Sequence, residues 1–150
     1  MRIVIQACDH AEQRYPTAGD YWDDEAGNLQ VRVSKMGDWR YEALVGVHEV
    51  IEALLCRHDG VSFAEIDAFD KEFEEARANS PALTAKGIGG RFFTFRGRKI
   101  DIDAEPGDQP DAPYARQHAI ATGIERILAV MLGVDWTAYS EAVLALDRVE

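Results

Sequence analysis

The chain has 150 residues, 47% of them apolar, which is enough for one domain with a sizeable core and no covalent staples. A formal net charge of −11 disfavours a broad electrostatic hold on nucleic acid or on an anionic membrane, because binding phosphate needs clustered cations. No apolar run approaches the roughly 18 residues of a spanning helix, and Cys8 and Cys56 are too few for a disulfide framework, so the expectation is a cytoplasmic protein with buried, reduced thiols.

Met1–Ala7 is rich in Val and Ile, and Leu29–Val33 alternates apolar and polar residues; both read as strands, with turn chemistry over Asp23–Asn28 between them. From Trp39 to about Arg57 the period becomes helical, with Asp38 at the N-cap position and His58-Asp-Gly60 as the stop. Ser62-Phe-Ala-Glu65 is a capping box opening a second helix that runs to about Arg77. The glycines and prolines of residues 79–113 forbid a long helix there, and Phe92–Asp103 reads as two short strands around Arg96-Gly-Arg98. Connections this long between helices are uncommon, which makes the segment an insertion or flap. Its five cations, Lys86, Arg91, Arg96, Arg98 and Lys99, are the only basic concentration in the chain.

Pro113 stands at the start of a third helix, roughly Tyr114–Leu132, closed by Gly133. Asp135 caps a fourth, from Trp136 to about Arg148. The expected architecture is α+β in a single domain over 1–150: a small antiparallel sheet made from the N-terminal strands and the inserted hairpin, packed with four helices.

Three helices carry unusual polar residues. On the first, Leu44, Val47, Val50, Ile51, Leu54 and Leu55 form a broad apolar face, while His48, Glu49, Glu52 and Cys56 share an opposite arc without a cation. His48 and Glu52 are i,i+4 neighbours, the spacing with which one helix offers two ligands to one ion. On the second, Asp70 falls within the stripe of Phe63, Ile66, Phe69 and Phe73, where a carboxylate is costly unless hydrogen-bonded, paired or metal-bound. On the third, His118, Thr122 and Glu125 line up away from an apolar arc of Ile120, Ile124, Ile127, Leu128 and Met131. His48, Glu52, His118, Glu125 and Asp70 are therefore the candidate ligands of a metal site between helices, the kind of set from which helical proteins build such sites. Zn²⁺, Mn²⁺ or Fe²⁺ suits these donors better than Mg²⁺, which prefers an all-oxygen shell.

His48-Glu49-Val50-Ile51-Glu52 resembles the H-E-x-x-H helix of zincin metallopeptidases, in a strand-then-helix order. The resemblance implies that His48 is a metal ligand, Glu49 the general base toward the attacking water, and Glu52 the replacement for the second His, with His118 or Glu125 completing the set. A second likeness is to MazG-type all-α NTP pyrophosphatases, which carry E-E-x-x-E on one helix and E-x-x-D on the next. His48-Glu-Val-Ile-Glu52 followed by Asp67-Ala-Phe-Asp70 is similar to that pattern with two substitutions and implies a role for Asp70. The segments Arg40-Tyr-Glu-Ala-Leu-Val and Asp111-Ala-Pro-Tyr-Ala-Arg-Gln-His118 are also similar to uncharacterised bacterial and phage-encoded proteins, a likeness that implies no activity. The substrate class expected is a small molecule or a peptide. A non-catalytic interaction or accessory protein is the alternative, and a homodimer is one of the oligomeric forms left open.

Overall fold

The structure, a computed structural model, describes residues 1–80 and 92–147. In chain order the elements are β1 (Ile3–Cys8), β2 (Gly19–Asp23), β3 (Leu29–Ser34), α1 (Trp39–Asp59), α2 (Phe63–Ala78), β4 (Phe92–Phe95), β5 (Arg98–Asp101), α3 (Ala115–Met131) and α4 (Trp136–Leu146). Single 3₁₀ turns lie at His10–Glu12 and Pro106–Asp108. The fold is α+β, and no helix among the described residues is long and apolar enough to cross a membrane.

The sheet differs from the expected one in two ways. Its order is β1-β3-β2, with β1 parallel to β3 and only β2 antiparallel to it. The chain leaves β1, returns along β2 on the far side, and then lays β3 down the middle. Position explains burial: Leu29, Val31 and Val33 of the central strand are fully buried, while Ile3 and Ile5 of edge strand β1 stay exposed. The sequence pattern misses β2 because Gly-Asp-Tyr-Trp-Asp contains residues that strands ordinarily avoid. What holds it is tertiary: Asp20 is buried under a two-point pairing with Arg14, at 2.6 and 2.7 Å.

The second difference is that β4 and β5 form their own two-stranded sheet and do not join the first. Phe93 and Phe95 project from one face of β4 and meet Phe69 and Phe73 of α2 edge-to-face, with centroids 5.1–5.5 Å apart. The aromatic stripe of α2 thus finds its partner in the hairpin. Arg96 and Gly97 both take positive φ in the turn, and Arg96 is anchored by Glu72 and Asp111. Lys86 and Arg91 lie outside the described residues.

The helix caps follow the sequence signals closely. The Asp38 carboxylate accepts from Arg40 N, Ser62 and Glu65 form the capping box, and Asp135 accepts from Ala138 N. Cys8 and Cys56 are free and buried.

Helix α3 packs chiefly on α1, and it does so with its polar side. Gln117, His118, Ala121, Glu125 and Ala129 are buried, whereas Ile120, Ile124, Ile127, Val130 and Met131 face outward. Helices normally turn their apolar arc to the core. Here Ala121 and Ala129 let the two backbones approach, and the space between them is filled by ionisable groups of both helices.

Because Ile127 is 67% exposed and Phe73 is completely buried, Ile127→Ser should change folding free energy by less than about 0.5 kcal/mol. Phe73→Ala should lower it by about 3–5 kcal/mol. Urea denaturation of both variants checks that the apolar arc of α3 faces out.

Candidate metal centre

A cavity of about 410 Å³ opens between α1, α2, α3 and the loops at residues 15–20 and 103–108. His48, Glu49 and Glu52 line it from α1, Asp70 from α2, and His118 and Glu125 from α3. All the sequence-derived candidates share one cavity, but they do not share one point.

Three atoms converge. His48 Nε2 lies 3.2 Å from Glu52 Oε2 and 3.2 Å from His118 Nδ1, and His118 Nδ1 lies 2.9 Å from Glu52 Oε2. Ligand atoms held about 2.0–2.2 Å from one ion, at angles between roughly 90° and 110°, stand about 2.8–3.6 Å apart, so the triangle has the dimensions of a set of metal ligands. The three residues are buried together.

The outer sides of the same groups decide where protons sit. His48 Nδ1 is 2.8 Å from Glu125 Oε2. An ionised carboxylate only accepts, so Nδ1 carries a hydrogen, and once the ring is neutral its Nε2 lone pair faces inward. Glu125 is thus placed behind His48, away from the converging atoms, and its other oxygen accepts from Tyr139 Oη. Glu52 is fixed in the same manner, since its Oε1 accepts from Tyr21 Oη at 2.8 Å while Oε2 points to the histidines. On His118, Nε2 faces Glu105 Oε2 at 3.0 Å and Asp108 Oδ1 at 3.4 Å. Gly107 makes that approach possible, because a Cβ there would fall 2.4 Å from His118 Cγ.

The electrostatics follow from this crowding. Burial alone lowers the pKa of His48, but hydrogen bonds to Glu125 and Glu52 overcome it and carry the group up to about 10. For His118 burial is again outweighed, by Asp108, Glu105 and Glu52, and its pKa rises to about 12. Burial raises the Glu52 pKa, yet the two imidazoles bring it down to about 2. The pocket therefore demands positive charge, and protons on the histidines or a cation among them can supply it.

Glu49 has no hydrogen bond or ion pair among the described residues. It packs so tightly on the backbone of β2 that a Cβ on Gly19 would fall 2.5 Å from its Oε1. Burial, and then the charge of Glu52, raise its pKa well above the ordinary carboxyl value. Asp70 sits apart from the three converging atoms, its Oδ1 accepting from Tyr114 Oη at 2.5 Å. Burial and the Glu52 charge move its pKa up to about 7, against the Tyr114 hydrogen bond.

The hairpin cations stay away from the cavity: among the described residues Arg96 and Arg98 pair with Glu72 and Asp111, and Lys99 lies over Phe92. The arginines that do line it, Arg77 and Arg126, are far outnumbered by carboxylates. Sequence reasoning overlooks Tyr21, Tyr139, Glu105 and Asp108, which reach the site from a strand, the last helix and a loop. Only Gly107, eleven residues before His118, hints at such a close approach.

Comparison of the chain with protein-family models, curated proteins and solved structures gives no match. The side-chain chemistry alone carries the functional argument.

Asp70 furnishes a test of the electrostatics. A folded-state pKa of about 7 against an ordinary 3.8 means the native state binds more protons than the unfolded chain between those values, so stability falls as pH rises through that window. Asp70→Asn keeps an acceptor for Tyr114 and cannot ionise. In metal-free protein it should be more stable than the parent by about 1–3 kcal/mol at pH 8 and show no gain at pH 4, as read by denaturant titration at both pH values.

Proposed function

We propose that this chain is a metal-dependent hydrolase whose divalent ion is held by His48 Nε2, His118 Nδ1 and Glu52 Oε2. The observation that carries the reading is the orientation of both rings: each turns its outer nitrogen to carboxylate, leaving two inner nitrogens and one carboxylate oxygen within 3.2 Å of each other. Carboxylates behind ligating histidines fix ring orientation and raise ligand basicity. Two imidazoles and one carboxylate suit Zn²⁺, Mn²⁺ or Fe²⁺. Such an ion supplies Lewis acidity and lowers the pKa of water in the cavity.

Glu49 is the general base in this reading. It adjoins His48, lines the same cavity, and has a carboxyl whose proton affinity is raised by burial. A carboxylate whose proton affinity is raised takes a proton from the attacking water more readily than an ordinary one and can pass it to the leaving group. The arrangement supports the zincin likeness in the roles of His48, Glu49 and Glu52, with His118 as the ligand from the downstream helix. The substrate is a small molecule or a peptide segment that fits a cavity of about 410 Å³.

One observation favours a second reading, a nucleotide pyrophosphohydrolase of MazG type: Asp70 lines the cavity with Glu49 and Glu52 and feels the charge of Glu52. Since the hairpin cations lie elsewhere, phosphates would have to be neutralised by metal ions rather than by protein.

Elemental analysis of the purified protein tests the ion directly. His48→Ala should lose it, whereas Glu49→Gln should keep it and abolish hydrolysis, because a general base need not be a ligand. Equal metal loss from both variants would make Glu49 a ligand and overturn its assigned role.

A further inference from the structure

The mouth of the cavity holds a second set of donors. Glu105 precedes and Asp108 ends the 3₁₀ turn at Pro106–Asp108, and their side chains are 57% and 60% exposed. Between them they present Glu105 Oε2 and Asp108 Oδ1 to Nε2 of His118, whose side chain is only 8% exposed. Ligand atoms of the three residues lie within 4.8 Å of one another.

The ring nitrogen is the informative group. His118 Nε2 is buried and makes no hydrogen bond, although carboxylate oxygens stand 3.0 and 3.4 Å from it. Distance is adequate, so direction is at fault: neither oxygen lies along the N–H axis closely enough to accept. A hydrogen-bond acceptor belongs on that axis. Two co-ligands of one ion belong beside it, because the ion takes the axial position at about 2.0–2.1 Å and the oxygens surround the ion rather than the nitrogen. The off-axis placement of both oxygens is the pattern of shared coordination.

We propose that Glu105 Oε2, Asp108 Oδ1 and His118 Nε2 form a second divalent-cation site at the cavity mouth, joined to the inner centre through the His118 imidazole. The inference rests on the inner centre proposed above, since it assigns the opposite nitrogen of the same ring to the inner ion. With an ion on each side, both His118 nitrogens would serve as donors, and the ring's remaining N–H proton would pass to solvent. Gly107 fits this role, because it lets the turn carrying Glu105 and Asp108 lie flat against the ring. The two oxygens and one nitrogen suit Zn²⁺ or Mn²⁺. An outer ion also answers the excess of carboxylate along the cavity wall and gives an incoming anionic group a cation to meet.

Equilibrium dialysis against Zn²⁺ with elemental analysis counts the ions on the whole chain. Two per chain are expected on the parent and one on E105Q/D108N, whose substitutions lie at exposed positions and leave the core intact. The same count on both overturns the outer site. His48→Ala reads the inner centre independently: it should hold one ion fewer than the parent and retain the outer one. If His48→Ala holds as many as the parent while E105Q/D108N holds one fewer, the outer site stands and the inner assignment fails.

Discussion

Everything in this molecule is arranged around the burial of two imidazoles and a carboxylate at mutual contact distance between α1 and α3. Taking such groups out of water is expensive, and an isolated charge among them would shift its pKa or open the structure. The protein meets the demand by giving the outward-facing atoms of His48 and Glu52 fixed hydrogen-bond partners. Tyr21 holds Glu52, Glu125 holds His48, and Tyr139 holds Glu125, so that β2, α3 and α4 each supply a fixed partner. The inner atoms are left to one another. Two tyrosines on different elements thereby set the orientation of the site, Tyr21 through Glu52 itself and Tyr139 through Glu125 behind His48.

That constraint explains the inversion of α3. A helix whose apolar arc faces water forgoes hydrophobic burial, roughly 25 cal/mol for each Å² of apolar surface. Turning it over would bury Ile120, Ile124 and Ile127 but carry His118 and Glu125 away from His48 and Glu52. Alanines at 121 and 129 and the paired polar groups hold the observed orientation. Stability of the metal-free form consequently depends on protons: with both imidazole pKa values raised by folding, their stabilising contribution is full below about pH 6.5 and is lost as pH rises through about 10 for His48 and about 12 for His118. A cation held at the same point would replace those protons, with an affinity that rises with pH as they leave.

The sequence discloses what local chemistry controls. Asp38, Ser62, Glu65 and Asp135 announce helix starts because a cap acts over three residues, and the hairpin turn at Arg96-Gly97 is visible for the same reason. The cation-free arc of α1 and the misplaced Asp70 stand out because they break the rule for solvated or buried faces. What stays hidden depends on distant partners. β2 is invisible because its strand is stabilised by β3 and by Arg14, not by its own residues. The parallel course of β1 and the docking of the hairpin on α2 come from matching of faces far apart in sequence. Glu105 and Asp108 look like ordinary loop acids until the fold brings His118 beneath them.

The central claim is that His48 Nε2, His118 Nδ1 and Glu52 Oε2 surround one ion. Anomalous diffraction from crystals equilibrated with Zn²⁺, collected at the zinc absorption edge, locates such an ion without reference to activity. The account predicts a peak at about 2.0–2.2 Å from each of the three atoms, with Glu125 still on His48 Nδ1. Density at that edge lying elsewhere, with His48 Nε2 and Glu52 Oε2 still in direct contact, would contradict it.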